Sequence, residues 1–342
     1  MVFPSVSVII PTYGREAVLR DTLASVIQQD YPTYEVLVVD QTPIHEPATD
    51  AYLNQLATDG TIRWLRVDWA SLPGARNYGV RCSTGELIVF IDDDVVLPPG
   101  FLLAHARVFM NRSDVGAVAG RVFDRMKLAE AEPDLVIQDL PPEAMDPGIA
   151  WYHLNLVHTI KPQPVLTARG CNMSFRRDIF DQHQLWFDER YRGSAVREES
   201  DFCLRIRPTG YQIWYEPAAH LVHLGEETGG CHDISTRSFH YQVTFYHNNF
   251  LMALKNLTLS QFCRLAAKLF DCQVLGHPPC CKSGSPLKVL SRMLFYGIGF
   301  GSAVATWLKT PWDDGQIYSR RVATSAHRST VPSATAITKA PR

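Results

Sequence analysis

The chain opens on the apolar run "SVSVIIPTY" (residues 5–13), which ends in Pro11 and Thr12 and reads as a strand buried on both faces. The period then changes. In "REAVLRDTLASVIQQ" (15–29), Val18, Leu19, Leu23, Val26 and Ile27 recur at helical spacing. "YEVLVVD" (34–40) predicts a second buried strand, residues 47–57 a helix, and "TIRWLRVD" (61–68) an alternating strand. A short helix over "GARNYGVRCS" (74–83), the strand "ELIVFIDDD" (86–94), a helix over "GFLLAHARVFMN" (100–111) and the strand "VGAVAGRVF" (115–123) complete the series. Strands alternating with helices at this spacing predict an α/β fold with a doubly wound, mostly parallel, Rossmann-like sheet flanked by helices. Such sheets bind ligands beyond the carboxyl ends of their strands. Thr12, Asp40, Asp68 and Asp92 to Asp94 end the strands, so they are expected along one edge.

Residues 124–164 are irregular, with several acids and prolines, and regular patterning resumes over 165–180 and 198–224. Residues 239–257 predict an amphipathic helix rich in aromatics. The division expected is a domain over 1–235 with halves 1–123 and 124–235, a helical C-terminal extension over 236–312, and a disordered tail over 313–342. Within the extension, residues 286–308 carry no charge after Arg292, but that uncharged stretch falls short of the ~20 residues that span a bilayer. Two readings stand for it: a core-packing helix, and an amphipathic helix in contact with a membrane surface.

Composition narrows the class. Hydrophobic residues make up 46% and charged residues 20%, enough for a substantial core. Lys plus Arg (33) nearly balance Asp plus Glu (35) with no basic stripe, which argues against a nucleic-acid partner. The eight cysteines are scattered apart from adjacent Cys280 and Cys281, with no CxxC pair, which fits a reducing cytoplasm or the inner face of its membrane. "MVFPSVSVIIPTYGR" lacks a basic leader and is broken by Pro11, so it is expected to be a strand and not a signal peptide.

The chemistry concentrates in "GELIVFIDDDVVLPPGF" (85–101). In extended chain Asp92 and Asp94 share a face and Asp93 takes the other. Two converging carboxylates suit a hard divalent ion, Mg2+ or Mn2+. "PGARNYG" (73–79) joins a glycine turn to a helix start that favours an anion, where Arg76 is available to phosphate or to the aspartates. "REESDFCLRIRPTGY" (197–211) places Glu198, Glu199 and Asp201 in a first helical turn, apart from an apolar face of Phe202, Ile206 and Cys203. The helix dipole there lowers a carboxyl pKa, so a base would need burial to oppose it. No GxGxxG follows the first strand, which argues against a dinucleotide-dependent oxidoreductase.

In order and spacing, "VSVIIPTYGR", "VLVVD", "GARNYG", "FIDDDV" and "EESDFCLRIRPTGY" resemble the family 2 glycosyltransferases of the GT-A fold, over residues 5–224. The resemblance implies inverting transfer of a sugar from a nucleotide-diphosphate donor, by default a UDP-sugar, to a hydroxyl acceptor such as a glycan or glycolipid. It makes Asp92 and Asp94 metal ligands, sets Asp93 near the donor ribose, and offers His223 as a third ligand. Pro11, Thr12, Tyr13 and Asp40 would hold the base, with Arg76, Asn77, Gly170 and Asn172 around the donor. Glu199, preceded by Glu198, would be the catalytic base, with Asp201 as the fallback. The sequence departs from the family pattern at Gly14, where Asn is usual, and at "QTPIHEPATD" after the second strand. The rival functions are a nucleotidyltransferase and an inactive sugar-nucleotide-binding subunit.

Overall fold

The structure is a computed structural model that describes residues 3–124, 137–154, 159–230, 238–278, 280, 282, 284–309 and 337–338. Its elements run β1 (Val6–Thr12), α1 (Ala17–Ile27), β2 (Thr33–Asp40), α2 (Pro47–Thr58), β3 (Arg63–Arg66), α3 (Leu72–Cys82), β4 (Leu87–Ile91), β5 (Val95–Val96), α4 (Phe101–Asn111) and β6 (Val115–Asp124). There follow α5 (Ala150–Leu154), β7 (Gln163–Val165), β8 (Asn172–Arg176), α6 (Asp178–Asp181), α7 (Glu198–Ile206), β9 (Gln212–His223), α8 (Phe239–Asn256), α9 (Leu259–Leu269), α10 (Pro286–Lys309) and β10 (Ile337–Thr338).

β3, β2, β1 and β4 are parallel neighbours in that order, as the βαβ pattern predicts. Beyond β4 the sheet becomes mixed. β8 inserts antiparallel between β4 and β6, β9 runs parallel to β6, and β5 and β7 pair antiparallel with β9. The irregular excursion before β8 frees that strand from the crossover that makes sequential βαβ strands parallel. Parts of the excursion, residues 125–136 and 155–158, lie outside the described residues, as do the expected boundary near 235 and most of the tail. Two tail residues, β10, pair with the start of β2.

Along β1 the side chains alternate. Val6, Val8 and Ile10 face a core built with α1, α2 and α4, while Ile9 faces a second core with α3 and α7. The second core holds an aromatic cluster in which Phe187 and Phe202 stack at 4.1 Å. A third core joins α8, α9 and α10 to Tyr152 and Tyr191.

One buried polar bridge ties α4 to β8. The His105 ring meets Ser174 Oγ at 2.8 Å and Asn172 Oδ1 at 3.0 Å. Burial pushes this imidazole down to about 4. The unfolded chain takes up a proton near pH 6.5 and the folded chain does not, so this contribution is complete above 6.5 and lost as pH falls towards 4. Urea unfolding is therefore expected to show about 2 kcal/mol less stability at pH 5 than at 6.5, beyond the change shown by His105→Gln. Parallel pH profiles for the two proteins would refute this.

Candidate active site

The sheet's strand order gathers the polar residues. β1 and β2 are in register, with Thr12 beside Asp40, so their ends share one edge. β8 begins at that edge because it is antiparallel, which brings Arg169 to Asn172 against the end of β4, with Ile91 opposite Asn172. β6 and β9 both end there, with Asp124 beside His223, and β5 sets Val95 beside the same histidine.

Asp92, Asp94 and His223 converge, each offering a ligand atom within 4.8 Å of the others. His223 Nε2 lies 3.3 Å from Asp94 Oδ1 and 3.9 Å from Asp92 Oδ2. Its Nδ1 faces Asp124 Oδ1 at 3.4 Å, and Arg169 grips both oxygens of Asp124 at 2.8 Å. A carboxylate on the far nitrogen fixes the ring so that Nε2 points at the aspartates, the arrangement metal-binding histidines use. Two hard oxygens and an oriented imidazole make a donor set that fits Mn2+ or Mg2+.

The electrostatics show the charge that this cluster needs. Burial lowers the His223 pKa, but the charge of Cys171 and the hydrogen bonds and charge of Asp124 and Asp94 outweigh it and raise it to about 11; a cation held by Asp92 and Asp94 would take the place of that proton. Burial pushes the Asp94 carboxyl up, and the hydrogen bond and charge of His223 outweigh that and hold it below the usual range. The alternation expected from extended chain does not hold here: β4 ends at Ile91, the three aspartates follow it on a bend, and Asp93 lines the same cavity as Asp92 and Asp94. Burial raises the Asp93 pKa to about 7 against the pull of Arg15, whose Nε lies 3.3 Å away. Behind the acidic turn, Thr22 of α1 accepts from Val95 N–H at 3.0 Å and reaches the Asp93 carbonyl at 3.0 Å.

Asp92, Asp93, Asp94 and His223 line a cavity of about 210 Å³ together with Pro11, Thr12, Tyr13, Arg15 and Gln41. Tyr13 and Gln41 also line an adjoining hollow of about 610 Å³ that includes Asp68 and Trp69. The chain after β9 closes the first cavity. Glu226 N–H donates to Asp94 Oδ2 at 2.9 Å, Gly230 N–H donates to the Tyr13 carbonyl, and Arg15 donates to the Thr228 carbonyl. Gly229, at φ +74°, is pressed so close that an added Cβ would lie 2.3 Å from the Gly14 carbonyl oxygen. At Gly14, the departure noted in the sequence, an added Cβ would meet Gly229 Cα at an ordinary 3.6 Å, and it is the φ of +64° that favours glycine.

Arg76 joins the two acidic groups. Far from the surface, it lies 3.7 Å from Asp92 Oδ1, pairs with Glu198 Oε1 and donates to the Gly170 carbonyl at 3.0 Å. Its partners are the acids, which resolves the choice the sequence leaves open. Gly170 is required at this contact, since a Cβ there would lie 2.8 Å from Arg76 Nη2.

The acids of α7 are buried, where the sequence places them apart from the apolar face. A constrained turn feeds the helix: Gly193, Ala195 and Arg197 have φ of +58°, +52° and +77°. Such backbone is costly for Ala and Arg and persists only where packing enforces it. α8 supplies that packing, with Asn248 bonded to the Arg192 backbone and Asn249 Oδ1 accepting from Arg197 Nε at 2.8 Å. Asp201 is held by Lys255 at 2.8 Å, Arg205 at 2.9 Å and Asn256 at 2.7 Å. Among the described residues Glu199 makes no ion pair. Its neighbour Ser200 donates to it at 3.3 Å, and burial raises its pKa against the opposing charges of Arg197 and Arg76. Glu198 and Glu199 lie outside the lining of the first cavity, which Ser194 reaches from the same turn.

Three of the expected donor residues turn inward. Asp40 accepts from Thr42 N–H at 2.8 Å and Trp64 Nε1 at 2.8 Å, and meets His45 Nε2 at 2.9 Å, so its oxygens are occupied locally. Asn77 binds the Phe187 backbone and Glu189, and Asn172 donates to the Arg121 and Ala219 carbonyls. Both amides lock buried backbone. Asp124, Arg169, Arg15 and Thr22 are site residues that sequence reasoning misses. Only Asp124, as an acid ending a strand, carried a signal that could have found it.

Comparison with known proteins agrees with this geometry. The chain is 22% identical over 214 residues to the amylovoran biosynthesis glycosyltransferase AmsB of Erwinia amylovora, covering 61% of this chain and 66% of that protein. It is 25% identical over 236 residues to the glucosyl-dolichyl phosphate glucuronosyltransferase of Haloferax volcanii, covering 64% and 68%. Against the larger protein y4gI of Sinorhizobium fredii, 25% identical over 245 residues, it aligns with 67% of its own length but spans only 25% of that protein. Two solved structures share the fold. The mannosyltransferase PcManGT of Pyrobaculum calidifontis, in complex with GDP-Man and Mn2+, matches with a TM-score of 0.52 at 18% identity, covering 96% of this chain and 87% of that one. TarS 1–349 of S. aureus matches with a TM-score of 0.50 at 15% identity, covering 95% and 92%. The architecture is accordingly that of the GT-A glycosyltransferases. The model of glycosyl transferase family 2 matches residues 7–184, more than half of the sequence, and the chain belongs to that family.

Proposed function

We propose that this chain is an inverting glycosyltransferase that moves a sugar from a nucleoside-diphosphate donor to a hydroxyl of a glycan or lipid-linked acceptor, in polysaccharide or glycoconjugate synthesis. The convergence of Asp92, Asp94 and His223, linked through Arg76 to the acids of α7, carries this reading. Asp92, Asp94 and His223 would hold Mn2+ or Mg2+. A divalent ion there offsets the negative charge that develops on a departing diphosphate.

The remaining roles belong to the chain's own groups. Tyr13 and Gln41, shared by the cavity and the adjoining hollow, suit the nucleoside, and Asp68 replaces the occupied Asp40 as the acid facing it. The base follows from the partners of the three candidates. Glu198 is paired with Arg76 and Asp201 with Lys255 and Arg205, while Glu199 makes no ion pair and is strengthened as a base by burial. Glu199 therefore takes the proton from the acceptor hydroxyl, whose oxygen displaces the diphosphate from the opposite face of the sugar. PcManGT was captured with GDP-Man and Mn2+, and the Haloferax relative is named for a dolichyl phosphate acceptor, which supports both partner classes.

The test incubates the full chain with a panel of nucleoside-diphosphate sugars, with simple and polyprenyl-linked sugars as acceptors, in Mn2+ or in EDTA. Cation-dependent release of nucleoside diphosphate with a glycosylated acceptor is expected. In a parallel incubation with nucleoside triphosphates and sugar 1-phosphates, release of pyrophosphate would mark a nucleotidyltransferase, and donor affinity without turnover an inactive binder.

A further inference from the structure

Helix α10 has two unlike sides. One is fixed to the protein: Gly299 lets α8 approach so closely that an added Cβ would lie 2.4 Å from Tyr246 Cβ. On the same side Thr306 Oγ1 meets His247 Nε2 at 3.0 Å, and the Tyr296 hydroxyl donates to the Ala266 carbonyl at 3.1 Å. The other side is an apolar stripe in water. Leu287, Leu290, Leu294, Ile298 and Leu308 are 77%, 63%, 58%, 39% and 63% exposed. In spacing they follow one face of a helix, and no described residue covers them.

Charge identifies what does. Lys309 borders the stripe at its C-terminal end and Lys288 stands in its first turn, while Arg292 falls on the packed side with Gly299 and Thr306. Between residues 238 and 309 Asp271 is the single acid, against Lys268, Lys282, Lys288, Arg292, Lys309 and the internally paired Lys255 and Arg264. The whole chain has a formal net charge of −2, so the cations are concentrated on this part. A second copy docking here would set like charges against each other. A bilayer with anionic headgroups offers both the apolar medium and the opposite charge. By length and composition α10 could cross a membrane, but one side of it is held by α8, which leaves only the exposed side to meet lipid and favours lying on the surface.

We propose that the exposed face of α10 docks the protein flat on an anionic lipid surface, with Leu287, Leu290, Leu294 and Ile298 in the acyl boundary and Lys288 and Lys309 among the headgroups. The proposal is independent of the reaction, because its readout is partitioning and not sugar transfer.

Full-length protein is sedimented with vesicles of phosphatidylcholine alone or with 30% phosphatidylglycerol (about 0.1 M salt is moderate screening). At least roughly tenfold stronger binding to the anionic vesicles is expected. Leu290→Glu with Leu294→Glu should abolish binding without lowering the melting temperature, since both positions face water. Lys288→Gln and Lys309→Gln should each weaken binding to the anionic vesicles by about fivefold. Equal or absent binding to both vesicle types would overturn the proposal. So would a dimer in sedimentation velocity that the double glutamate variant dissociates while vesicles go unbound.

Discussion

Asp94→Ala is expected to abolish sugar transfer and divalent-ion binding together. Asp94 is the carboxylate that completes the three-residue donor set, facing His223 with one oxygen while the other accepts from Glu226 N–H. Its loss leaves Asp92 and the imidazole, too few ligands to hold a hydrated Mg2+ or Mn2+ firmly. Several kcal/mol of leaving-group stabilisation go with the ion, so kcat/KM should fall by roughly a thousandfold or more. Calorimetric titration with Mn2+ alone reports the binding loss without any need to know the substrate. Asp124→Asn is the graded companion. It keeps the ligands and removes the charge that orients His223, so Mn2+ affinity should drop about 10–100-fold. Full turnover by Asp94→Ala in EDTA would sink the assignment, and unchanged Mn2+ affinity in Asp124→Asn would remove its orienting role.

The second large effect separates two acids two residues apart. Glu199→Gln should lower kcat by roughly 10²–10⁴ at saturating donor while the melting temperature holds, because the variant loses a proton acceptor and no ion pair. Asp201→Ala should do the reverse. It takes the carboxylate from Arg205, leaves Lys255 with Asp188 alone and opens a buried void, and should cost about 3 kcal/mol of stability, the low end of the range for breaking a buried pair. Denaturation curves and single-turnover rates on the same two proteins decide the matter. A destabilised Glu199→Gln that keeps full kcat would move the base elsewhere.

The metal cluster is the part of the site most legible in the sequence. Asp92 and Asp94 follow a strand of unbroken apolar residues, which sets them at its carboxyl end, although strand alternation does not continue through them and Asp93 shares their cavity. Arg76 shows where legibility stops. Its position at a helix start suggested an anion, but only coordinates reveal that the anions are Asp92 and Glu198. Asp40 is a stronger case. It ends a strand at the functional edge, yet His45 and Trp64, from the unusual segment after β2 and from β3, occupy its oxygens. A strand-end position fixes which edge a residue occupies, not which way its side chain turns. Asn77 and Asn172 repeat the lesson, since a buried amide serves backbone carbonyls as readily as a ligand.

What the sequence by itself determined is the local order: strand, helix and acidic strand end, because periodicity and charge are properties of neighbours along the chain. The structure decided which of the acids converge, which are braced by cations and that, among the described residues, Glu199 makes no ion pair. Those arrangements depend on partners brought from about a hundred residues away or more, such as Asp124 beside His223 across the parallel β6–β9 pair and Arg76 beside Glu198. A carboxylate's chemistry is set by the charge and dielectric around it in space, and that surrounding exists only once the strands are paired.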